Sequence, residues 1–377
     1  MQPQFTEHDV QYMQQALALA GNGIFTTAPN PAVGCVLVKD GNVVGKGFHF
    51  KAGQPHAEVM ALMDAGERAR GATAYVTLEP CSHFGRTPPC AKALIDAGVS
   101  RVIAAMQDPN PQVAGQGLAM LRAGGVETAV GLLQEQAELL NKGFLKRMRC
   151  GMPFVQLKMA ISIDGKTAMA SGESKWITGE LSRRDVQTER AKASAILSTG
   201  KTVAADDPLL NVRWQQLPDE VRHQYRQANL RQPVRIILDN QHLVQPIHRL
   251  FHIPAPVWLV SRDARDMSDF PDFCQHIRLE VEDGQDSLYA LLSLLGQRQI
   301  NSLWVEAGAG LAGALIERNL VDELIVYVAP KLLGNQARGL YDLSHIQRLA
   351  DAPLWALQSV RQIDMDVKMI YRRQDNS

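Results

Sequence analysis

Four side chains have the types and spacing for hydrolytic chemistry: His56 and Glu58 in the tripeptide HAE, and Cys81 and Cys90 in EPCSHFGRTPPC. One imidazole and two thiolates make a three-ligand zinc set that leaves the fourth tetrahedral position open, the arrangement of a catalytic site. Such an ion brings the pKa of a bound water towards 7. Glu58 is then the proton carrier, accepting from that water and delivering to a leaving group, a task no third cysteine could perform. Residues two apart on a regular helix do not face one another, so His56 and Glu58 must converge at an irregular first turn. Cys90 follows Pro88 and Pro89 and reads as another helix start, where the helix dipole favours a thiolate. The competing readings are plain packing, or a structural zinc completed by His83; neither has a use for the adjoining acid. Cys35, Cys150 and Cys274 read as ordinary small side chains.

A second motif, GAGLAG at Gly308 to Gly313, fits GxGxxG between a strand-like run and a helical one, so its backbone amides could cradle a phosphate. No acidic residue stands at a strand end about twenty residues on, which excludes a Rossmann-type fold and keeps the phosphate-binding role. The alternative is a helix packed closely on its strand. Lys158 and Asp164, on the run FVQLKMAISID, are candidates for positioning a reactant.

Scaffolding for these residues is legible along the chain. Thr6 and Asp9 precede an apolar-periodic stretch to Ala20, a capped helix. Two β-rich runs flank Asp40-Gly41, a hairpin signal. HAEVMALMDAGERA reads as a helix; strands TAYVTLEP, RVIAAM and VETAV then alternate with helices CAKALIDAGV, GLAMLRAGG and one through Leu139, which implies an α/β sandwich. The pattern breaks between Leu145 and Pro153, so the expected domains are 1–148 and 149–377. In the second, LSRRDVQTERAKAS is a helix, and strand-like runs recur at AILST, VRIILD, VWLVS, LWVEA, ELIVYVA and VKMIYRR. Asn211 to Gln232 reads as a loop-helix insertion. At 377 residues and 46% hydrophobic the chain can bury more than one core. Lys plus Arg (39) balances Asp plus Glu (39), so no overall field exists to hold a phosphate backbone. No apolar run approaches a membrane span, and five cysteines are too few and odd in number for a disulfide framework. The expectation is a cytoplasmic protein with neither nucleic acid nor membrane as partner.

HAE with PCSHFGRTPPC resembles the zinc deaminases of nucleosides and bases, whose usual signature is HxE followed by PCxxC. Here eight residues separate the cysteines. That departure, with APNPAVGCVLV and GFHFKAGQPHAE ahead of it, resembles the deaminase half of the bifunctional riboflavin-biosynthesis deaminase/reductase family. KMAISIDGKTAMASGESKWIT, TVAADDPLLNVR and WVEAGAGLAGALIERNLVDELIVYVAPKLLG resemble the reductase half. The resemblance implies a cytidine-deaminase-like α/β/α sandwich followed by a dihydrofolate-reductase-like α/β domain. It implies one zinc ion per chain, NADPH, a small phosphorylated pyrimidine substrate and a homo-oligomer. The reactions it implies are hydrolytic loss of the 2-amino group of 2,5-diamino-6-(5-phosphoribosylamino)pyrimidin-4-one, then reduction of the ribosyl to a ribityl chain.

By the same resemblance Asn30, His49, His83 and Arg86 contact the pyrimidine or ribose phosphate. Ala160, Trp176, Thr202, Asp206, Gly308 and Gly310 lie at the cofactor, and Ser174, Arg190, Leu210, Arg213 and Glu306 at the second substrate. The chemistry suits these roles: Asn reads a ring edge, Arg forks onto phosphate, Glu accepts from hydroxyls or amines. Blander alternatives are turn chemistry for Asn30, a solvated charge for Arg86 or Arg190, and plain core for Trp176. Arg262, after VWLVS, is the expected cation for the NADPH 2′-phosphate.

Overall fold

Thr6 and Asp9 close a capping box: Asp9 N donates to Thr6 Oγ1 at 3.1 Å and Thr6 N to Asp9 Oδ2 at 2.8 Å. From it runs α1 (Glu7–Gly21), followed by β1 (Gly34–Lys39), β2 (Asn42–Phe48), α2 (Ala57–Ala65), β3 (Thr73–Val76), α3 (Cys90–Asp96), β4 (Arg101–Ala104), α4 (Gln116–Ala123), β5 (Glu127–Val130), α5 (Gln134–Leu140) and α6 (Lys142–Cys150). The sheet order is β2-β1-β3-β4-β5, antiparallel from β2 to β3 and parallel from β3 to β5. Asp40 and Gly41, both with positive φ, make the hairpin turn. Two glycines set the layers. A Cβ on Gly34 would stand 2.0 Å from the Ala16 carbonyl, and one on Gly47 2.3 Å from that of Ala57. Gly34 and Gly47 are one register step apart and face opposite sides of the sheet, so α1 packs on one face and α2 on the other. The close approach at Gly47 fixes where α2 begins, and hence where His56 and Glu58 stand.

The computed structural model describes residues 5–82, 88–110, 114–343 and 346–374. The chain divides into two units, Met1–Gly151 and Met152–Ser377. The break expected between Leu145 and Pro153 is instead the end of a helix: α6 continues to Cys150 and is closed by Gly151 at φ 70°. Its basic run Lys146-Arg147-Met148-Arg149 is a good helix former, and only Phe144 and Leu145, with Met148 partly buried beside them, anchor it in the core, so its apolar period is short.

The second unit comprises β6 (Phe154–Ser162), β7 (Lys166–Ala168), α7 (Glu180–Lys192), β8 (Ala195–Thr199), α8 (Gly200–Asp206), α9 (Asp219–Gln224), β9 (Val234–Leu238), β10 (Val257–Ser261), β11 (Cys274–Arg278), α10 (Ser287–Gln297), β12 (Ser302–Val305), α11 (Ala309–Glu317), β13 (Glu323–Ala329), β14 (Arg338–Gly339), β15 (Trp355–Ile363) and β16 (Asp366–Arg373). Its main sheet has the order β11-β10-β9-β8-β12-β6-β13-β16-β15, parallel through β13, with β16 and β15 antiparallel. Apolar runs such as Ile236-Ile237 and Leu303-Trp304-Val305 fit strands covered on both faces. One face packs on α10 and α11, the other on α7 and α8. The insertion carries α9 as expected. The sequence reading omitted β11, a polar edge strand, along with α8, α10 and β15. No helix among the described residues is long and apolar enough to cross a membrane.

Candidate active sites

His56 is the N-cap of α2, with extended backbone (ψ 165°), and Glu58 is the second residue of the helix. This irregular turn puts the two on one side, as the spacing requires. Cys90 opens α3 after Pro89, and its backbone N–H donates to Cys81 Sγ at 3.3 Å. His56 Nδ1 lies 3.3 Å from Cys90 Sγ and 3.7 Å from Cys81 Sγ. Zinc bonds of about 2.0 and 2.3 Å at tetrahedral angles separate ligand atoms by about 3.5 to 3.8 Å, so the three donors fit that ion. Among the described residues this is the one His/Cys/Asp/Glu group so arranged. Hydrogen bonding from the Cys90 thiol, with help from His56, draws Cys81 down to about 4; Cys90, bonded to that sulfur, is pushed up.

Glu58 is 4% exposed. Burial, then the Cys81 sulfur, raises its carboxyl to about 7, the range in which one group both accepts and donates protons at neutral pH. His49 is also buried, with Nδ1 3.1 Å from the Pro55 carbonyl and Nε2 3.1 Å from Asn30 Nδ2. Burial holds it below the ordinary imidazole range, so neutral His49 donates from Nδ1 and accepts at Nε2. Both ring nitrogens are engaged within the protein. His49 therefore orients the Asn30 amide and the Pro55-His56 turn rather than offering a free edge to a ligand. His83 and Arg86 lie outside the described residues. Two residues the sequence reading passed over support this site. Asn141 exchanges two 2.8 Å hydrogen bonds with the Ala32 backbone, holding the loop that carries Asn30. Glu79 gathers four backbone N–H groups. Neither carries a motif, since both act across long sequence separations.

In the second unit a cavity of about 1380 Å³ opens at the carboxyl ends of the parallel strands. Ala160, Ser174, Trp176, Arg190, Thr202, Asp206, Leu210, Arg213, Glu306, Gly308 and Gly310 all line it. Gly308 caps α11 with extended backbone, and a Cβ there or at Gly310 would meet nothing, so this stretch faces open space. Gly313 instead abuts the Asp342 carbonyl, 2.1 Å from its would-be Cβ, so its close packing is against the segment after β14 and not against the strand. Thr199 caps α8 by accepting from Thr202 N at 3.2 Å. Trp176 is 62% exposed with the Arg183 guanidinium 4.6 Å above its ring, which removes the core alternative.

Arg190 requires a correction. Its Nε and Nη2 donate to Glu306 Oε1 and Oε2 at 2.6 and 2.8 Å, and Nη1 to the Asn211 carbonyl at 3.0 Å. The fork expected to face a phosphate is spent on Glu306, and the residue is neither a solvated face nor a free cation. Trp304 Nε1 donates to the same carboxylate at 2.8 Å. Burial alone would raise Glu306, yet Arg190 and Lys158 hold it at about 2. Lys158 lines the cavity, below its ordinary range through burial. Asp164 does not line it; its carboxylate accepts from Ser162 Oγ and Gly334 N and ties two turns together. Arg262 is also absent from the lining, its backbone bonded to Asn240 and Arg278 at the sheet margin. Lys201 and Arg249 line the cavity where the sequence reading had no cation.

Two domain families match the chain: the cytidine and deoxycytidylate deaminase zinc-binding region over residues 6–106, and the RibD C-terminal domain over 153–369. The riboflavin biosynthesis protein RibD of Haemophilus influenzae is 63% identical over 98% of both chains. That of Escherichia coli is 56% identical, over 95% of this chain and 98% of its own. Acinetobacter baumannii RibD superposes with a TM-score of 0.90 at 44% identity, covering 98% of this chain and 99% of its own. The diaminohydroxyphosphoribosylaminopyrimidine deaminase/5-amino-6-(5-phosphoribosylamino)uracil reductase of Thermotoga maritima does so with 0.85 at 32%, covering 97% and 99%.

Proposed function

The chain belongs to the RibD family of riboflavin-biosynthesis proteins, and on that premise we propose which of its residues carry each of its two reactions. It is a bifunctional enzyme with a zinc-dependent deaminase half of cytidine-deaminase type and an NADPH-dependent reductase half of dihydrofolate-reductase type. It deaminates 2,5-diamino-6-(5-phosphoribosylamino)pyrimidin-4-one to the aminouracil and then reduces the ribosyl chain to ribityl.

In the first half His56 Nδ1, Cys81 and Cys90 would hold zinc, which when bound would acidify a water. Glu58 would take a proton from the attacking water and pass protons to the ring nitrogen and the departing amine, as water's oxygen bonds to the ring carbon and the carbon–nitrogen bond breaks. Asn30, oriented by His49, reads the pyrimidine edge. The observation that carries this reading is the convergence of the buried Glu58 carboxyl on a donor set of zinc dimensions.

In the second half NADPH, when bound, supplies the hydride for carbon 1 of the opened ribose. Gly308 and Gly310 offer backbone amides to its phosphates, and Trp176 an aromatic face. The Arg190–Glu306 pair presents a fixed carboxylate for sugar hydroxyls or pyrimidine amines, while Arg213, in the cavity wall, takes the ribose phosphate. Given the diaminopyrimidine ribotide alone, the purified protein should yield the deaminated ribosyl product by mass. With NADPH present it should yield the ribityl product; deamination with no NADPH consumption would sink the reductase assignment.

The homo-oligomer is part of the same proposal. Strand β15 ends the nine-stranded sheet, and Leu357 and Val360 on it are more than half exposed. An open edge strand presents unpaired backbone N–H and C=O groups, and these two apolar side chains add to its capacity to pair with a further strand. Light scattering should give a mass above one chain for the wild type and one chain for Leu357→Lys/Val360→Glu; a monomeric wild type at micromolar concentration removes the reading. None of the five cysteines is in a disulfide, which supports placing the enzyme in a reducing compartment, the cytoplasm.

A further inference from the structure

We infer that Glu79 is a positioning residue for the zinc ligand Cys81, an inference that rests on the deaminase reading above. Glu79 stands two residues before Cys81 and is 3% exposed. Its backbone N–H extends the sheet by donating to the Met106 carbonyl at 3.0 Å. Its carboxylate leaves the strand for α4. Oε1 accepts from Gly117 N at 2.9 Å and Leu118 N at 3.2 Å, and Oε2 from Gly115 N at 2.9 Å and Asp108 N at 3.2 Å. No side chain of its own caps α4, whose N-cap is Gly115. Glu79 supplies that cap from another element, a carboxylate against the positive end of the helix.

The same first turn presses on the metal loop. A Cβ on Gly117 would stand 1.9 Å from the Pro80 carbonyl, so the backbone of α4 lies directly on the Pro80-Cys81 peptide. From another element, Ala91 N in α3 donates to the Cys81 carbonyl at 3.2 Å. The Cys81 backbone is thus held by α3 and by α4, and Glu79 binds α4 in place. A glutamine at 79 keeps one acceptor oxygen and turns an NH2 towards two N–H donors, which loosens α4 and with it the sulfur.

Outer partners of metal ligands typically contribute 10- to 100-fold in affinity. Zinc affinity of the full chain, measured by competition with a chromophoric chelator, should fall by about that factor in Glu79→Gln. Deamination by the variant should return at saturating zinc, a rescue that a general folding defect would not show. Because coupling is reciprocal, removing zinc from the wild type should speed hydrogen exchange of the amides from Gly115 to Leu118, and this arm needs no variant to fold. Unchanged zinc affinity in a folded Glu79→Gln, or unchanged exchange at those amides in a wild type that binds zinc, overturns the inference. A wild type that takes up no zinc overturns the deaminase reading itself.

Discussion

Replacing Glu58 by glutamine should lower deamination by at least about 10²-fold, the usual cost of removing a general acid and base, and leave zinc content and reduction near wild type. The donors proposed for zinc are His56 Nδ1 and the two sulfurs, so an amide at 58 removes no ligand. It does remove a carboxyl that burial holds near 7, where it can both take and return a proton. An amide fills the same space in the wall, and folding should be unaffected. The residues proposed for reduction all lie between Ala160 and Gly310, outside the unit that ends at Gly151, so the variant should still consume NADPH when given the already deaminated ribosylaminouracil phosphate. Metal analysis, thermal unfolding and product mass on one preparation test this. Loss of both activities in a folded, zinc-loaded variant would sink the assignment of two separate reacting sites.

The second large effect is expected at Arg190. Truncation to alanine strips Glu306 of its two strongest hydrogen bonds and leaves a mostly buried carboxylate facing only Lys158 and Trp304 Nε1. Breaking a buried pair from one side costs about 3 to 5 kcal/mol. The second unit should lose stability on that scale and reduction should be lost, with deamination retained. The pH dependence follows from Glu306. Its folded-state pKa of about 2 is below that of an ordinary glutamate, about 4.3, so its stabilising contribution is complete above roughly pH 4.5 and is lost as pH falls towards 2. Without Arg190 the carboxyl must rise, and acid unfolding of this unit should move to higher pH. The double variant Arg190→Met/Glu306→Gln, which removes both charges, should recover most of the stability but none of the reduction. Recovery of reduction with stability would mean that the pair serves the fold alone.

The grouping of His56, Cys81 and Cys90 beside Glu58 was legible in the sequence because it is built from local geometry. HAE at a helix start and a cysteine after two prolines each define a short stretch whose backbone geometry follows from its own residues. The same holds for the capping box at Thr6, the Asp40-Gly41 hairpin and most strands of both units, whose apolar runs report burial directly. Polar edge strand β11 and basic helix α6 were not legible, since their identity depends on what packs beside them.

Residue types also pointed to metal-assisted hydrolysis in the first unit and to a phosphate cradle in the second. Tertiary structure alone decided which polar atoms remain available. His49 and Arg190 both read as groups that would reach a ligand, and both prove to be occupied, one by Asn30 and the Pro55 carbonyl, the other by Glu306 and the Asn211 carbonyl. Arg262 had the right charge and falls outside the cavity, while Lys201 and Arg249 fall within it. Glu79 gave no signal, because its partners lie 29 to 39 residues away in the chain. Sequence spacing carries the reach of a backbone over a turn or two; a buried charge must find its partners in three dimensions, and those partners are set by how the layers pack.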